Sequence, residues 1–449
     1  MGIMLTLQNY FIISVFFLSI YLALRHRFYP LLWITLACSV NAPLLKYNFA
    51  LPFYYLSIIP MLIASLNVLG KNLLTQINKE KVVLLYPMAI FAVMGLSLFS
   101  TIHAYISYPT CEITTGALLG ILARFVWVLL FLLIMGCLDE EKKQSLLTTC
   151  VTTLVIMNLF ACVIQLTFGH PEIFYSLYYS DVQTPLKIPL QMGYFLRGYG
   201  LFPSPVNLGP FVLTSLAIAL IYKKPILILL CGILSAISMS KTAIVGFPLL
   251  VFIYFIYKNL FCKNAKCRIT AYGRFKIAFV LLAIILGMTG ATLLMIKANP
   301  VSKYYYTVFT NPARVFSSRY DPSSESFIAS DTIESIRENF FLGTGYTKIR
   351  NEFIGDSTYI VMLKEAGFIG LLIYLLSILM IILYLFKKRN AAVLIPFSML
   401  ANGVGSSAFL SLYDIAVLLI VLLSCQDVPY KRNFNLCRHK TIELSQNGL

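Results

Sequence analysis

Among the basic residues that lie apart from the clusters of positive charge along this chain, four are candidates for one shared site: Arg124, Arg197, Lys241 and Arg319. Arg124 lies inside a long apolar segment, while Arg197 and Lys241 stand at the ends of others. A cation within a lipid bilayer costs about 2.5–3.5 kcal/mol or more, so it normally faces a partner or a water-filled cavity. Arginine offers paired donors and lysine a point charge, and both suit the oxygens of a diphosphate. The four residues therefore predict one anion site. Three of them lie in or near apolar segments, and a polar loop brings Arg319 to the site.

Each of these cations also has a purely structural interpretation. Arg124 would equally serve to pair with a neighbouring helix, and Arg197 and Lys241 would reach lipid headgroups from the interface. Arg319 alone is an ordinary loop residue. Asp414, in the last apolar hairpin, is compatible both with a functional site and with helix pairing.

Other kinds of chemical site find little support in the sequence. It contains no Gly-rich phosphate loop, no HExxH motif and no acidic metal cluster. Cys262 and Cys267 have the spacing of a ligand pair, yet no second pair or His accompanies them, which favours buried or reduced thiols. His103 and His170 are isolated and are interpreted as interfacial side chains. We therefore expect neither a metal site nor a cofactor.

The composition is that of a helical membrane protein. Hydrophobic residues make up 59% of the 449-residue chain and charged residues only 12%, a balance that a soluble fold cannot bury. The pattern predicts an all-α polytopic protein with about 12–14 membrane-spanning helices. The apolar segments are 9–24, 29–46, 51–69, 82–104, 116–137, 145–168, 206–222, 225–239, 242–257, 277–296, 366–386, 391–408 and 409–425.

The net charge of +17 follows the membrane topology and does not indicate a nucleic-acid surface. Basic residues cluster in alternate loops, which the positive-inside rule assigns to the cytoplasm. The clusters are Arg25 with Arg27, Lys71 with Lys79 and Lys81, Lys142 with Lys143, Lys223 with Lys224, 258–276, 387–389 and 431–440. This distribution predicts an external N-terminus and a cytoplasmic C-terminus. No nucleic-acid partner is expected.

The chain is predicted to form one integral membrane domain over residues 1–449, with external loops at 169–205 and 298–365. No cleavable signal peptide, internal repeat or soluble domain is evident. In the larger loop, Asp331 and Glu334 accompany apolar residues at helical spacing, which predicts a capped amphipathic helix near the membrane surface.

The rest of the larger loop is predicted to continue this folded cap over the membrane domain. The Gly343-Thr344-Gly345 stretch should end the amphipathic helix, because glycine is a poor helix former. A second helix is predicted to start at Asp356 or Ser357 and to run into the next span, with Gly367 at the boundary.

Two segments before the larger loop resemble the bacterial O-antigen polymerase and O-antigen ligase superfamily. Residues 197–207 (RGYGLFPSPVN) are similar to a stretch of the superfamily in which an Arg, a Gly, a Phe and a Pro or Asn lead into a span. Residues 238–241 (SMSK) are similar to its T/S–x–S–R segment, with Lys in place of Arg.

Two further segments extend this resemblance over residues 197–370. Arg319, the amphipathic helix and the turn at 339–345 resemble the large-loop pattern of the superfamily. Residues 356–367 resemble the helix with which its chain re-enters the membrane. The order of the four segments, with three spans after the large loop, carries the resemblance.

The resemblance implies a membrane glycosyltransferase that polymerises repeat units of O-antigen, capsule or exopolysaccharide. The growing glycan would leave undecaprenyl diphosphate as a hydroxyl of the next lipid-linked oligosaccharide attacks its anomeric carbon. Diphosphate binding is implied for Arg124, Arg197, Lys241 and Arg319, with catalytic roles for Arg197 and Arg319. Because diphosphate is a good leaving group, neither a metal nor a nucleotide sugar is needed.

The resemblance also implies a location and partners. The protein would lie in the cytoplasmic (inner) membrane of a bacterium, with its active face on the external, periplasmic side. Its substrate would be undecaprenyl diphosphate-linked oligosaccharide, and a chain-length regulator in the same membrane is a candidate partner.

The residue at position 356 separates the two activities of the superfamily. Ligases usually carry a His there, nine residues before the Glu of the same helix, whereas this chain has Asp356. Polymerases more often have an acidic or polar residue at this place, so the resemblance favours a polymerase. Asp356 is accordingly the predicted base for the attacking hydroxyl. Its alternative role is that of a helix N-cap.

Three other functions stay open at this point. A ligase would transfer the glycan to a separate lipid core. A flippase or other transporter of lipid-linked oligosaccharides would also need basic groups in a membrane cavity, although it would more typically show paired structural halves. A scaffold without catalytic activity in an envelope complex is the third.

Overall fold

A computed structural model describes residues 2–41, 44–46, 50–66, 68, 82–108, 111–113, 115–168, 191–192, 195–196, 198–202, 205–261, 330–348, 357–405 and 411–424. The helices are α1 Gly2–Leu24, α2 Phe28–Asn41, α3 Phe53–Leu66, α4 Val82–Ser107, α5 Thr115–Met135, α6 Glu140–Phe168, α7 Pro205–Ile221, α8 Pro225–Ser238, α9 Lys241–Phe261, α10 Ser330–Glu338, α11 Thr358–Lys387, α12 Leu394–Gly405 and α13 Leu412–Ser424. A 3-10 turn, Ala391–Val393, precedes α12.

The strands are short and form antiparallel pairs. They are β1 Leu44–Lys46 with β2 Ala50–Pro52, β3 Glu112–Ile113 with β6 Thr347–Lys348, and β4 Gln191–Met192 with β5 Phe195–Leu196. The pairing of β3 with β6 is the one that matters below, because it joins the chain just before α5 to the chain just after α10.

Most of the described chain is helical, as an all-α membrane protein requires. Four of the described helices are long and apolar enough to cross a membrane: α4, α5, α6 and α11. In the other apolar helices, the stretch whose side chains are described is 10–17 residues long. The class of the fold is therefore confirmed, while the count of 12–14 spans stays a prediction. The predicted segment 277–296 lies outside the described residues.

One predicted segment is wrong in its extent. Residues 29–46 read as one apolar run, but α2 ends at Asn41 and Leu44–Lys46 belongs to the β1–β2 hairpin. The helix ends two residues before Pro43, in keeping with the steric restriction that proline places on the residue before it.

Helix α13 lies at the centre of the described helices. All of its residues are buried, and it contacts α2, α4, α5, α6, α7 and α12. A helix that is apolar on every side belongs in the middle of a bundle, since it has no polar face to turn outward. The last of the described helices is thus the one that the others surround.

This central position predicts different costs for one substitution at two sites. Leu419→Ala, at a residue with 0% exposure in α13, should destabilise the protein by about 2–5 kcal/mol because it leaves a cavity. Leu229→Ala, at a residue with 64% exposure in α8, should change stability by no more than about 0.5 kcal/mol. Unfolding of the purified variants in mixed detergent micelles measures both. Equal losses would contradict the central placement of α13.

Two helix pairs frame the candidate site. The closest association is that of α4 with α11, and α3 packs along α5. In the second pair, Trp127 Nε1 donates a hydrogen bond to Ser57 Oγ at 3.1 Å, and the Trp127 ring stacks on Phe131 with the centroids 4.8 Å apart. These contacts fix the rotation of α5, and so the direction in which its one arginine points.

Candidate functional site

The segment that follows α10 is inserted between α4 and α11. We call residues 339–348 the docked turn. Helix α10 ends at Glu338, as the sequence predicts, and β6 at the far end of the docked turn pairs with β3. The part of the loop after α10 therefore packs against α4 and α11, while its placement as an external cap over the membrane domain stays a prediction.

Helix α11 opens at Gly367 to receive the docked turn. Gly367 has φ 63° and ψ −168°, a conformation that breaks the helix locally. The N–H groups of Phe368 and Ile369 donate to the carbonyls of Phe340 (2.7 Å) and Phe341 (3.3 Å) in the docked turn. The backbone groups released by the kink are thereby satisfied, as they must be at membrane depth.

The docked turn donates two hydrogen bonds to α11 in return. The Thr344 N–H donates to the Lys364 carbonyl at 2.6 Å, and the Gly345 N–H donates to the Glu365 carbonyl at 3.1 Å. Two carbonyls of α11 that the kink would leave without a helical donor are thus satisfied. Four main-chain hydrogen bonds, two in each direction, hold the two segments together.

Two glycines allow this close approach. Gly343 (φ +73°) would place a Cβ atom 2.6 Å from the amide nitrogen of Gly367, and Gly345 (φ +64°) would place one 2.1 Å from Thr101 Oγ1. Both distances are far below van der Waals contact, and both φ values disfavour other residues. The Thr101 hydroxyl instead accepts a hydrogen bond from the Tyr346 N–H at 2.9 Å.

Lys364 anchors the docked turn from α11. It is buried, and its ammonium donates to the carbonyl of Gly345 at 3.1 Å and to that of Thr347. Ser100 of α4 donates to the Leu342 carbonyl. A buried ammonium is tolerated only with hydrogen-bond partners, so Lys364 acts here as a structural cation.

A small cavity lies beneath the docked turn, between α4, α5 and α11. Its polar lining consists of Ser97, Tyr346 and Glu365, and the other lining side chains are apolar. Glu365 is half-buried, so part of its surface stays accessible. Since Glu365 is two residues before the kink at Gly367, the docked turn fixes the main chain on which its carboxylate is carried.

Arg124 lies next to this cavity on α5. Ile121, one turn earlier on the same helix face, lines the cavity. The Arg124 guanidinium lies over the Tyr54 ring of α3, 5.7 Å from the centroid. Tyr54 is itself stacked on Tyr55, with the centroids 4.5 Å apart.

The aromatic support leaves the charge of Arg124 largely uncompensated. Among the residues that the structure describes, no carboxylate forms an ion pair with Arg124; the ion pair found there joins Lys142 to Asp139. A cation over an aromatic face is held in place without being neutralised. The contact with Tyr54 of α3 is a pairing with a neighbouring helix, as the structural alternative for Arg124 expects, but it leaves the charge without an ion pair among the described residues.

The pKa of Tyr346 depends on charged groups of two neighbouring helices. Burial and the negative charge of Glu365 raise the pKa of the Tyr346 phenol above its usual range, while hydrogen bonding with Ser97 and the positive charge of Arg124 act in the opposite direction. Tyr346 is therefore a neutral phenol at physiological pH. One side chain of the docked turn thus feels both the carboxylate of α11 and the cation of α5.

The residues after Arg197 form a second ordered element, which we call the glycine loop (residues 198–202). Gln165 of α6 holds it: the side-chain oxygen accepts from the N–H groups of Tyr199 and Gly200, both at 3.0 Å, and the side-chain nitrogen donates to the Gly200 carbonyl at 2.6 Å. Asn158 accepts from the Leu201 N–H at 2.8 Å. A Cβ atom on Gly200 (φ +60°) would lie 2.4 Å from Asn158 Oδ1.

The glycine loop also contacts the hairpin between α8 and α9. The Gly198 N–H donates to the Ile237 carbonyl at 3.2 Å, and Gly209 of α7 approaches Ser240 so closely that a Cβ atom would lie 2.3 Å from its hydroxyl. The described contacts thus place the glycine loop beside the end of α8, and α7 beside Ser240.

The predicted site residues differ in how far the structure describes them. Arg124 is described in full. Lys241 begins α9, and only its main chain is described. The residues Arg197, Arg319 and Asp356 lie wholly outside the described residues. The N-cap of α11 is Ser357, the residue after Asp356, so the predicted start of this helix is confirmed and the cap is not Asp356.

Two roles were suggested for Asp414, in a functional site and in helix pairing, and its contacts support helix pairing. It is buried in the first turn of α13, and Thr214 Oγ1 of α7 donates to its carboxylate at 2.6 Å. Asn402 of α12 donates in turn to Thr214 Oγ1 at 3.2 Å. This polar cluster joins α7, α12 and α13, which supports helix pairing.

Sequence reasoning gave no role to Lys364, Glu365 or Tyr346. Glu365 served only as a reference point for position 356, and Lys364 was not considered. The signal was nevertheless present, because two adjacent charged residues, Lys364 and Glu365, directly precede the long apolar run 366–386. Charged residues at the border of a membrane span call for a partner or for a functional role.

Comparison with known proteins adds no relative. No family model, no curated protein and no solved structure matches this sequence.

Proposed function

We propose that this chain is a membrane glycosyltransferase that polymerises oligosaccharide units carried on undecaprenyl diphosphate. In this reaction a sugar hydroxyl of one lipid-linked unit attacks the anomeric carbon of the growing glycan, and lipid diphosphate leaves. The order of the four segments between residues 197 and 370 supports the proposal from the sequence. In the structure, the proposal rests mainly on Arg124, whose guanidinium is held by Tyr54 and forms no ion pair in the described part of the chain.

Arg124 combines the properties that a ligand of a leaving diphosphate needs. It lies nine residues into α5, about 14 Å from the start of that helix, where a free charge is costly and calls for a partner. Tyr54 holds the guanidinium in position, and no carboxylate of the described chain neutralises it. Its fork of donors remains available to the oxygens of a diphosphate, whose developing charge it would stabilise.

The neighbourhood of Arg197 and Lys241 supports a shared anion site. The glycine loop that follows Arg197 is bonded to Ile237, four residues before Lys241. The glycines of this loop pack closely against Ile237 and Asn158, which fixes the main chain that follows Arg197 in the sequence. Arg319 remains the predicted fourth cation, with a catalytic role shared with Arg197, and Asp356 remains a predicted base.

The proposal includes a membrane location. The apolar helices indicate a membrane protein, and the basic clusters favour the cytoplasmic membrane, with the docked turn and the glycine loop on the external side. A chain-length regulator protein in the same membrane is the proposed partner.

Polymerisation by the purified protein tests the proposal. The protein, reconstituted in lipid nanodiscs, receives undecaprenyl diphosphate-linked repeat units alone, with no metal and no nucleotide sugar added. We expect lipid-linked chains of two or more units, with free undecaprenyl diphosphate as the other product. Separation of the glycolipids on a gel measures the chain length.

The same assay distinguishes the alternative functions. Transfer of the glycan to an added lipid core, without chain extension, would replace the polymerase by a ligase. Movement of the unextended unit across the bilayer of a proteoliposome, with neither transfer nor extension, would identify a flippase. Absence of all three reactions would favour a scaffold.

A further inference from the structure

The cavity beneath the docked turn holds a carboxylate in a defined position. Among the described residues that line it, Glu365 is the acidic one, and Ser97 and Tyr346 are the other polar members. The two hydroxyl groups have partners of their own: Ser97 Oγ donates to the Val93 carbonyl at 2.9 Å, and Ser97 hydrogen-bonds with the Tyr346 side chain. In the described part of the chain, no group donates a hydrogen bond to the Glu365 carboxylate.

The main chain that carries Glu365 cannot move independently of its surroundings. The Glu365 carbonyl accepts from the Gly345 N–H at 3.1 Å, and the neighbouring Lys364 ammonium reaches back to the Gly345 and Thr347 carbonyls. The kink at Gly367 follows directly. A catalytic group must be held within a fraction of an ångström of its working position, and this kind of support provides that.

Two cations act on the Glu365 carboxylate, and each has its own partner elsewhere. The cations that act on it are Lys364, on its own helix, and Arg124, from α5; Tyr346 faces it from the docked turn. Lys364 is engaged with the carbonyls of the docked turn, and Arg124 with Tyr54. Neither forms an ion pair with the Glu365 carboxylate, so its oxygens remain able to accept a proton from a ligand.

The geometry points to Glu365 as the base that activates the attacking sugar hydroxyl. In this step the Glu365 carboxylate takes the hydroxyl proton while the hydroxyl oxygen bonds to the anomeric carbon of the growing glycan. The bond from that carbon to the diphosphate breaks, and its electron pair leaves with the lipid diphosphate. This inference rests on the proposed function, which supplies both substrates.

The relative placement of base and cation fits such a displacement. Glu365 lies seven residues into α11, and Arg124 lies nine residues into α5, which places them about 10 and 14 Å from the starts of their helices. The pairing of β3 with β6 holds the chain before α5 beside the docked turn. A carboxylate for the nucleophile thus lines the cavity from α11, and a guanidinium for the leaving group, on α5, lies near enough to act on its charge.

Glutamine at position 365 tests the inference in the nanodisc assay. Glu365→Gln keeps the size of the side chain and removes its capacity to accept a proton, so extension should fall by about 10²–10⁴-fold. Binding of the lipid diphosphate-linked unit, measured separately, should stay at the wild-type level. Glu365→Asp, which keeps the carboxylate, should recover part of the rate.

One matched variant serves as the control, and a second one discriminates between the two candidate bases. Glu334→Gln alters an exposed carboxylate on α10 and should extend glycans like the wild type. Asp356→Asn removes the other candidate base, and comparison of its rate with that of Glu365→Gln identifies the carboxylate that takes the proton. As the pH is lowered, the wild-type rate should fall on protonation of the carboxylate, and the residual rate of Glu365→Gln should not follow that change.

Each result decides between the possibilities. A Glu365→Gln protein that extends glycans at the wild-type rate would overturn the inference and leave the proposed function intact. Loss of substrate binding together with activity would make Glu365 a structural residue, which would also overturn the inference. Loss of activity in Asp356→Asn with normal activity in Glu365→Gln would assign the base to Asp356. If the wild-type protein itself extends nothing, the proposed function falls, and this inference with it.

Discussion

Arg124→Ala is expected to lower the rate of glycan extension by about 10²–10³-fold, the usual effect of removing one group that stabilises a developing negative charge. The guanidinium is held over Tyr54 and is not neutralised by any carboxylate of the described chain. Its removal should therefore cost little stability, since no ion pair of the described chain is broken. The rate of chain lengthening in nanodiscs, at saturating lipid-linked substrate, measures the effect.

Three variants define how Arg124 acts. Arg124→Lys keeps the charge but loses the paired donors, so it should restore only part of the rate. Tyr54→Phe keeps the aromatic face and should have a milder effect than Arg124→Ala. Arg337→Ala removes an exposed arginine on α10 and should leave the rate unchanged. Full-length glycan from well-folded Arg124→Ala would remove Arg124 from the proposed anion site.

Gly345→Ala is expected to be the most damaging small substitution in the docked turn. The new methyl group would lie 2.1 Å from Thr101 Oγ1 and 2.5 Å from the Ser97 carbonyl, in a backbone conformation with φ +64°. The docked turn would have to move, with loss of several of its hydrogen bonds to α11. Together with the strain of the left-handed conformation, this should lower the free energy of unfolding by at least about 3 kcal/mol.

Gly95→Ala is the matched control for this effect. Gly95 lies on α4, six residues before Thr101, and a Cβ atom there would meet nothing within 4 Å. Alanine should therefore be neutral or stabilise the helix by up to about 1 kcal/mol. Thermal unfolding in detergent compares the two proteins. Equal melting temperatures for Gly345→Ala and the wild type would contradict the tight insertion of the docked turn.

The order and ends of the helices were largely predictable from the sequence. Apolar runs of sufficient length specify helices in a membrane, because every backbone group must be paired there. The start of α11 at Ser357 and the end of α10 before Gly343 follow from local capping and glycine signals. The hairpin at Leu44–Lys46 was missed because hydrophobicity alone does not distinguish a short strand from the end of a helix.

The candidate site was predictable only in part. Arg124 was identifiable because an isolated cation in an apolar run is costly wherever it packs. Its support by Tyr54 was not, since aromatic residues are frequent in this chain and nothing local connects positions 54 and 124. Glu365 and Lys364 gain their roles from the kink at Gly367 and from the docked turn, which comes from a segment about twenty residues earlier. Such contacts depend on tertiary packing, which local sequence patterns do not encode.

The exchange of hydrogen bonds between the docked turn and α11 limits where the protein can open. Lifting the turn away would expose four N–H groups and four carbonyls at once, in a region where each unpaired group costs about 1–3 kcal/mol. The docked turn is therefore a fixed wall of the cavity and cannot serve as its gate. A long lipid-linked glycan must enter and leave along a path that passes beside this wall, and any moving lid belongs to another part of the chain.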